Sequence, residues 1–466
     1  MILTLSRTRN HVYLVGLVLC CWLLAFSGCG SSDTGDDDHP SRVAAPQFNP
    51  AAGGYSAAQT VTITTSTSGA TIRYTTDGST PTDTVGTVYA APVEVAQSLT
   101  LKAVAWRSGW TTSAVTSGDY TITPPGPVSY CYVANAATPS FSIRAFAIND
   151  TTGALINVSG SPFAHGRSPW SLAVHPAGKF LYVGDGDATI SGYSINPDSG
   201  ALATITGSPF PTYGFPSCPA VDPTGQFLYL TNDASNVVSA YAINAATGVP
   251  TEIAGSPFGT EFGPKGMAID PTGMFVYVAN SASGSISAFT INAATGALTG
   301  VDGSPFAAGN EPLGVAVDPS GKFVYVTNSS TDSVSGYSID AATGALTAIA
   351  GSPYATGDEP AWVALDPLGR FAYVTNLNAD SVSAFAIDAA TGALTAVAGS
   401  PFGTGAWPRK AAVDPLGKFL YVACGDAASV SAYAINANTG ALTALAGSPF
   451  ASGNWPNFVA VVRIIR

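Results

Sequence analysis

The tripeptide Ser-Pro-Phe, once Ser-Pro-Tyr, recurs seven times, with its serine at Ser161, Ser208, Ser256, Ser304, Ser352, Ser400 and Ser448. The first interval is 47 residues and every later one is 48. A self-similar step of that length means stacked supersecondary units, none of which buries its apolar face alone. Inside one unit the pattern reads as four short strands. Residues 312–328 hold two apolar runs around Asp318-Pro319-Ser320-Gly321, 333–340 form a third strand and 344–347 begin a fourth. Asp, Pro and Gly stand at the first, second and fourth positions of a type I turn. Seven four-stranded units closing on themselves make an all-β disc with a central funnel, a seven-bladed β-propeller.

Finer regularities agree with this. An alanine recurs on the first strand of each unit, at Ala173, Ala220, Ala268, Ala316, Ala364, Ala412 and Ala460. Small residues suit strands crowded round an axis. The turn aspartate recurs at Asp222, Asp270, Asp318, Asp366 and Asp414, and His175 takes its slot in the first unit, where it reads as a turn residue rather than a base. At the C-terminus Val462 and Arg463 replace the Asp-Pro turn, whereas 129–135 is a second strand with no first strand before it. Residues 459–462 should therefore pair with 129–135, and this clasp removes an open edge.

Apart from the repeats, the chain divides by composition. Arg7 and Arg9 precede the apolar run 12–26, which is short for a membrane span and right for an export signal. The run ends in Leu24-Ala25-Phe26-Ser27-Gly28-Cys29, which resembles a bacterial lipoprotein cleavage box. The resemblance implies a signal peptide at 1–28, lipidation at Cys29, an outer-membrane address and contact with the membrane through the lipid alone. Residues 29–43 are polar and acidic and read as a flexible tether. Residues 44–122 carry alternating strand patterns and form a separate domain. Residues 123–127, Thr-Pro-Pro-Gly-Pro, are a stiff linker, and the propeller fills 128–466.

The net charge of −12 argues against a nucleic-acid partner. No cofactor motif or metal-ligand spacing appears, and Cys131, Cys218 and Cys424 fall in different units without a Cys-x-x-Cys pair. The expected state is a monomer without cofactor or metal.

In the small domain the segments Gly54-Tyr55, Arg73-Tyr74-Thr75-Thr76-Asp77-Gly78 and Tyr120-Thr121-Ile122 resemble the chitobiase C-terminal-like module. The resemblance implies an immunoglobulin-like β-sandwich with an accessory role. In the propeller, Tyr325-Val326-Thr327-Asn328 and Tyr373-Val374-Thr375-Asn376 resemble the YVTN repeats, and the wider pattern is similar to the lactonase-type seven-bladed propellers.

Whatever repeats seven times holds up the architecture, so a site should lie where the repeat breaks. The break falls around the recurring Pro169, Pro216, Pro264, Pro312, Pro360, Pro408 and Pro456. There the chain offers Arg167, Trp170, Lys265, Glu311, Glu359, Trp407, Arg409, Trp455 and Asn457 as ligand-binding candidates. Trp170 and Trp362, inside the strand, read equally as packing wedges. A hydrolase would draw on His165, Glu311 or Glu359 as base and Arg409 or Arg167 for the oxyanion. This inventory is thin, so the first reading is a scaffold that binds a glycan, peptide or protein. The alternative is a lactone hydrolase, resting on the family resemblance.

Overall fold

The computed structural model describes residues 41–122, 128–138 and 141–465, which fall into two units divided between Thr123 and Pro124. The signal segment 1–28, Cys29 and the linker 123–127 lie outside the described residues.

The first unit is a sandwich. A three-stranded sheet (Gln47–Asn49, Gln59–Thr64, Val93–Val95) faces a five-stranded one in which Leu99–Trp106 is central. Strand alternation sends Val61, Ile63, Val95, Leu101, Ala103 and Ala105 into one core with Tyr120. Arg42 bridges Thr111 and Val43 is 2% exposed, so these two residues pack with the sandwich although their neighbours read as tether. An apolar β-branched side chain beside an open core is buried rather than left in water.

Among its described residues the second unit forms seven sheets and has two short 3₁₀ turns. Blades one to six follow the chain from Pro169, and blade seven joins its two ends. There Pro456–Ile464 pairs antiparallel with Val128–Asn135, Ala460 opposite Tyr132. The fourth blade shows the general pattern. Its inner strand Pro312–Val317 pairs with Phe323–Asn328, which pairs with Ser333–Ile339. Asp318 makes the first turn by accepting the Ser320, Lys322 and Phe323 amides at 3.0, 2.7 and 2.7 Å. His175 serves the same turn in blade one, where its Nδ1 accepts the Ala177 amide at 3.1 Å.

Each sheet has five strands where the sequence predicts four. The outer edge is split: Leu346–Ala348 pairs with one half of the third strand and Tyr354–Ala355 with the other. The Ser-Pro-Phe motif sits just after the break and explains its own recurrence. In all seven blades the serine Oγ accepts a third-strand amide that the break leaves open, as Gly336 N–H to Ser352 Oγ at 2.9 Å. A buried amide left unpaired would cost about 1–3 kcal/mol.

The second-strand tyrosine staples each blade to the next. Tyr182, Tyr229, Tyr277, Tyr325 and Tyr373 donate to the carbonyls of Gly248, Gly296, Gly344, Gly392 and Gly440. Tyr421 reaches Gly153 of blade seven, and Tyr132 of blade seven reaches Gly200 of blade one. The tyrosine body is packed between sheets and its hydroxyl must find a partner there. The inner-strand alanine lies opposite it, as Ala316 to Tyr325.

Candidate functional site

Consecutive strand residues normally point to opposite faces. The inner strands break that rule just after their proline. Pro408 lies opposite Cys424, yet Ala411 lies opposite Val422, so one extra residue is inserted. The same bulge recurs in all seven blades. Bulges re-aim side chains and let neighbouring residues share a face. As a result both residues after the proline face the funnel in most blades: Ser217 and Cys218, Lys265 and Gly266, Ala361 and Trp362, Arg409 and Lys410, Asn457 and Phe458. Together with Trp170, Phe215, Leu313 and Leu377 they line a cavity of about 240 Å³.

Two cations of blade six dominate this cavity. Lys410 Nζ sits 3.9 Å from the Trp362 ring of blade five and 3.3 Å from the Phe458 ring of blade seven, and those rings lie 6.0 Å apart. Burial pushes its ammonium down to about 8. No carboxylate pairs with it among the described residues. The Arg409 guanidinium lies 5.1 Å from Trp407, 5.4 Å from Trp455 and 5.7 Å from Trp170. Its Nε is buried without a hydrogen-bond partner among the described residues, as is the Ser217 hydroxyl. Burial lowers the Arg409 pKa, and the charges of Asp426 and Glu359 oppose the shift. Aromatic faces attract cations but do not neutralise them. The cavity is therefore apolar in its walls and positive in its chemistry.

A second hollow shares Lys265 and Leu313 with the cavity and adds Glu311 and Glu359. Both glutamates stand just before an inner-strand proline with left-handed backbone, φ 50° and 55°, and Trp407 and Trp455 do the same at 57°. The Glu359 amide is held by Asp332 Oδ1 at 2.9 Å, and the Trp407 amide by Asp380 Oδ1 at 2.9 Å. Glu311 is exposed and its carboxylate accepts the Ser330 hydroxyl at 2.6 Å. The half-buried Glu359 carboxylate has no hydrogen-bond donor among the described residues.

Other candidates are already engaged. Lys265 is ion-paired with Asp233 and Arg167 with Asp187. Asn457 Nδ2 donates to the Trp170 carbonyl at 2.7 Å. His165 does not reach Arg409 or Glu359. It is buried with Nε2 2.6 Å from Asp185 Oδ1 and Nδ1 2.8 Å from the Tyr193 hydroxyl, beside a separate hollow with Arg167 and Asp187. The reason is local. Asp185 takes a slot that holds a buried Asn in five other blades, as Asn328 does in blade four, and a buried carboxylate needs more donors than the amide it replaces. His165, Thr189 and Ser191 supply them. The fragment Asp185-Gly186-Asp187 is thus committed to protein partners.

Lys410, Ser217 and Phe458 are absent from the candidates drawn from the sequence. Strand alternation hides them, because it assigns only one of each pair to the funnel. The signal that finds them is variation: both positions after the proline change from blade to blade, while the rest of the strand repeats.

The model of the lactonase, 7-bladed beta-propeller family matches at 215–313, 305–364 and 347–460, together more than half of the sequence. The chain belongs to that lactonase family. The chitobiase/beta-hexosaminidase C-terminal domain model matches residues 50–117, within the sandwich. Among curated proteins none matches. Solved structures share the propeller fold. One is a Bacteroides uniformis protein provisionally assigned as a 6-phosphogluconolactonase (21% identity, TM-score 0.64, covering 72% of this chain and 100% of that one). Another is the periplasmic gluconolactonase of Pseudomonas aeruginosa (19%, TM-score 0.61, 72% and 99%). The lactonase family and these neighbours share the propeller frame with this chain.

Proposed function

We propose that the propeller hydrolyses a lactone in the funnel cavity. The observation that carries this reading is the adjacent pair Arg409 and Lys410, two cations facing one cavity with no carboxylate partner among the described residues. Membership of the lactonase family and the neighbours' names support it.

The chemistry follows from charge development. As water attacks the lactone carbonyl, negative charge grows on the carbonyl oxygen. Lys410 and Arg409 are held by packing before that charge appears, so they need no reorganisation to stabilise it. Removing one such donor costs about 3–4 kcal/mol of barrier, or ~10²–10³ in rate. Glu359 accepts the proton of the attacking water. Collapse of the tetrahedral intermediate expels the ring oxygen, which takes that proton back from Glu359 and leaves a hydroxy acid. Glu311 is the weaker base, since Ser330 occupies its carboxylate.

The test is pH-stat hydrolysis of a panel of sugar lactones by the 41–466 protein, corrected for spontaneous opening. Turnover lost in Arg409→Ala and Glu359→Gln supports the reading. No turnover on any lactone overturns it and returns the rim to the binding of a glycan, peptide or protein. We further propose that the chain is exported and carries lipid on Cys29. Mass spectrometry of the mature N-terminus from a bacterial host checks this, and an unmodified Cys29 refutes it.

A further inference from the structure

The environment of Lys410 supports chemistry other than carbonyl polarisation. An amine becomes nucleophilic when its charged form is destabilised and nothing holds the proton in place. Burial meets the first, and no carboxylate among the described residues holds the proton. The Nζ lies against two aromatic rings instead of a carboxylate, and a second cation, Arg409, is the preceding residue in the same cavity. Burial depresses the ammonium to about 8, so roughly a tenth of the molecules carry a free amine at pH 7, against well under 0.1% for an ordinary lysine. The cavity of about 240 Å³ lies just below the ~300–1,000 Å³ of drug-sized sites and so suits a small ligand. In the same cavity the buried Arg409 Nε and the Ser217 hydroxyl are donors without a partner among the described residues, a match for an anionic group.

We infer that Lys410 captures carbonyl compounds: the funnel takes a short 2-oxo acid, its carboxylate on Arg409 and Ser217, its carbonyl carbon bonded to Lys410 Nζ. The amine lone pair adds to the carbonyl carbon and gives a carbinolamine. Loss of the former carbonyl oxygen with two protons, as water, leaves an imine, and no oxidant or co-reactant is consumed. Capture does not depend on lactone turnover, because it needs the free amine where hydrolysis uses the ammonium.

Reductive trapping with glyoxylate and cyanoborohydride at pH 7, read by intact mass and peptide mapping, tests the inference. The chain has only six lysines, Lys102, Lys179, Lys265, Lys322, Lys410 and Lys418, so selectivity is read directly. The expected result is one adduct, on Lys410, formed at least 10-fold faster than with propanal, a neutral aldehyde. Arg409→Gln should lower that preference to near unity while Lys410 still labels. Lys410→Met should abolish the fast adduct, and an unchanged melting temperature would show that folding is intact. Labelling spread evenly over the lysines, or no preference for glyoxylate over propanal, overturns the inference whether or not the protein opens lactones.

Discussion

Tyr421 donates its hydroxyl to the Gly153 carbonyl at 2.8 Å, across 268 residues of chain. Blade six thereby grips blade seven with the same contact that joins every other neighbouring pair. The closed ring has no weak seam, although one of its blades is assembled from both ends of the domain.

The staple depends on glycine. Gly344 has φ 78°, and a Cβ there would collide with the Phe275 ring of the preceding blade. Gly344→Ala should therefore cost about 2–4 kcal/mol, combining left-handed strain with overpacking. Tyr277→Phe, which only removes the hydroxyl, should cost about 1–3 kcal/mol because the Gly344 carbonyl stays buried. Denaturant melts of the two variants check both size and order.

Closure should be cooperative. Removing 459–466 takes the inner strand from blade seven, including the Arg463–Asp150 ion pair at 2.8 Å, and exposes the Val128–Asn135 edge. The truncated protein should melt at a clearly lower temperature and self-associate through the open edge. Calorimetry with light scattering measures both, and an unchanged melting temperature would refute the clasp.

Lys410 links activity and stability to pH in opposite directions. Its charged form is needed at the carbonyl, so kcat/KM for lactone opening should fall as pH rises through about 8. Its folded pKa lies below the ordinary 10.5, so between about 8 and 10.5 the unfolded chain holds more protons and stability should rise with pH. Lys410→Met should be at least as stable as the parent at pH 7, with the difference shrinking across that window. A pH–rate profile and melts at pH 7, 9 and 10.5 test the two signs.

His165 should matter for folding and not for turnover. His165→Ala leaves Asp185 buried without its 2.6 Å partner, at a cost of about 3–5 kcal/mol. The kcat/KM of the folded fraction should match the parent. A large loss of kcat/KM in fully folded protein would place His165 in the reaction instead.

How much of this was legible varies with the residue. Ser352 announces the architecture because a local need, an open third-strand amide, is met by the same residue in every unit. Asp318 announces its turn for the same reason. His165 reads from the sequence as a candidate base, and only the position of Asp185 shows that it is a buried structural partner. Lys410 is not legible in the sequence because a period of two describes a regular strand, and the inner strand is irregular where the site lies.

The seven blades, their turns and the pairing of the two ends are written in the sequence, because each rests on contacts close along the chain or repeated with its period. The tertiary structure decided the site. Trp362, Lys410 and Phe458 come from three different blades, and Arg409 meets Trp170 across more than two hundred residues. Their neighbourhood, and with it the lowered pKa of Lys410, exists only once the ring has closed.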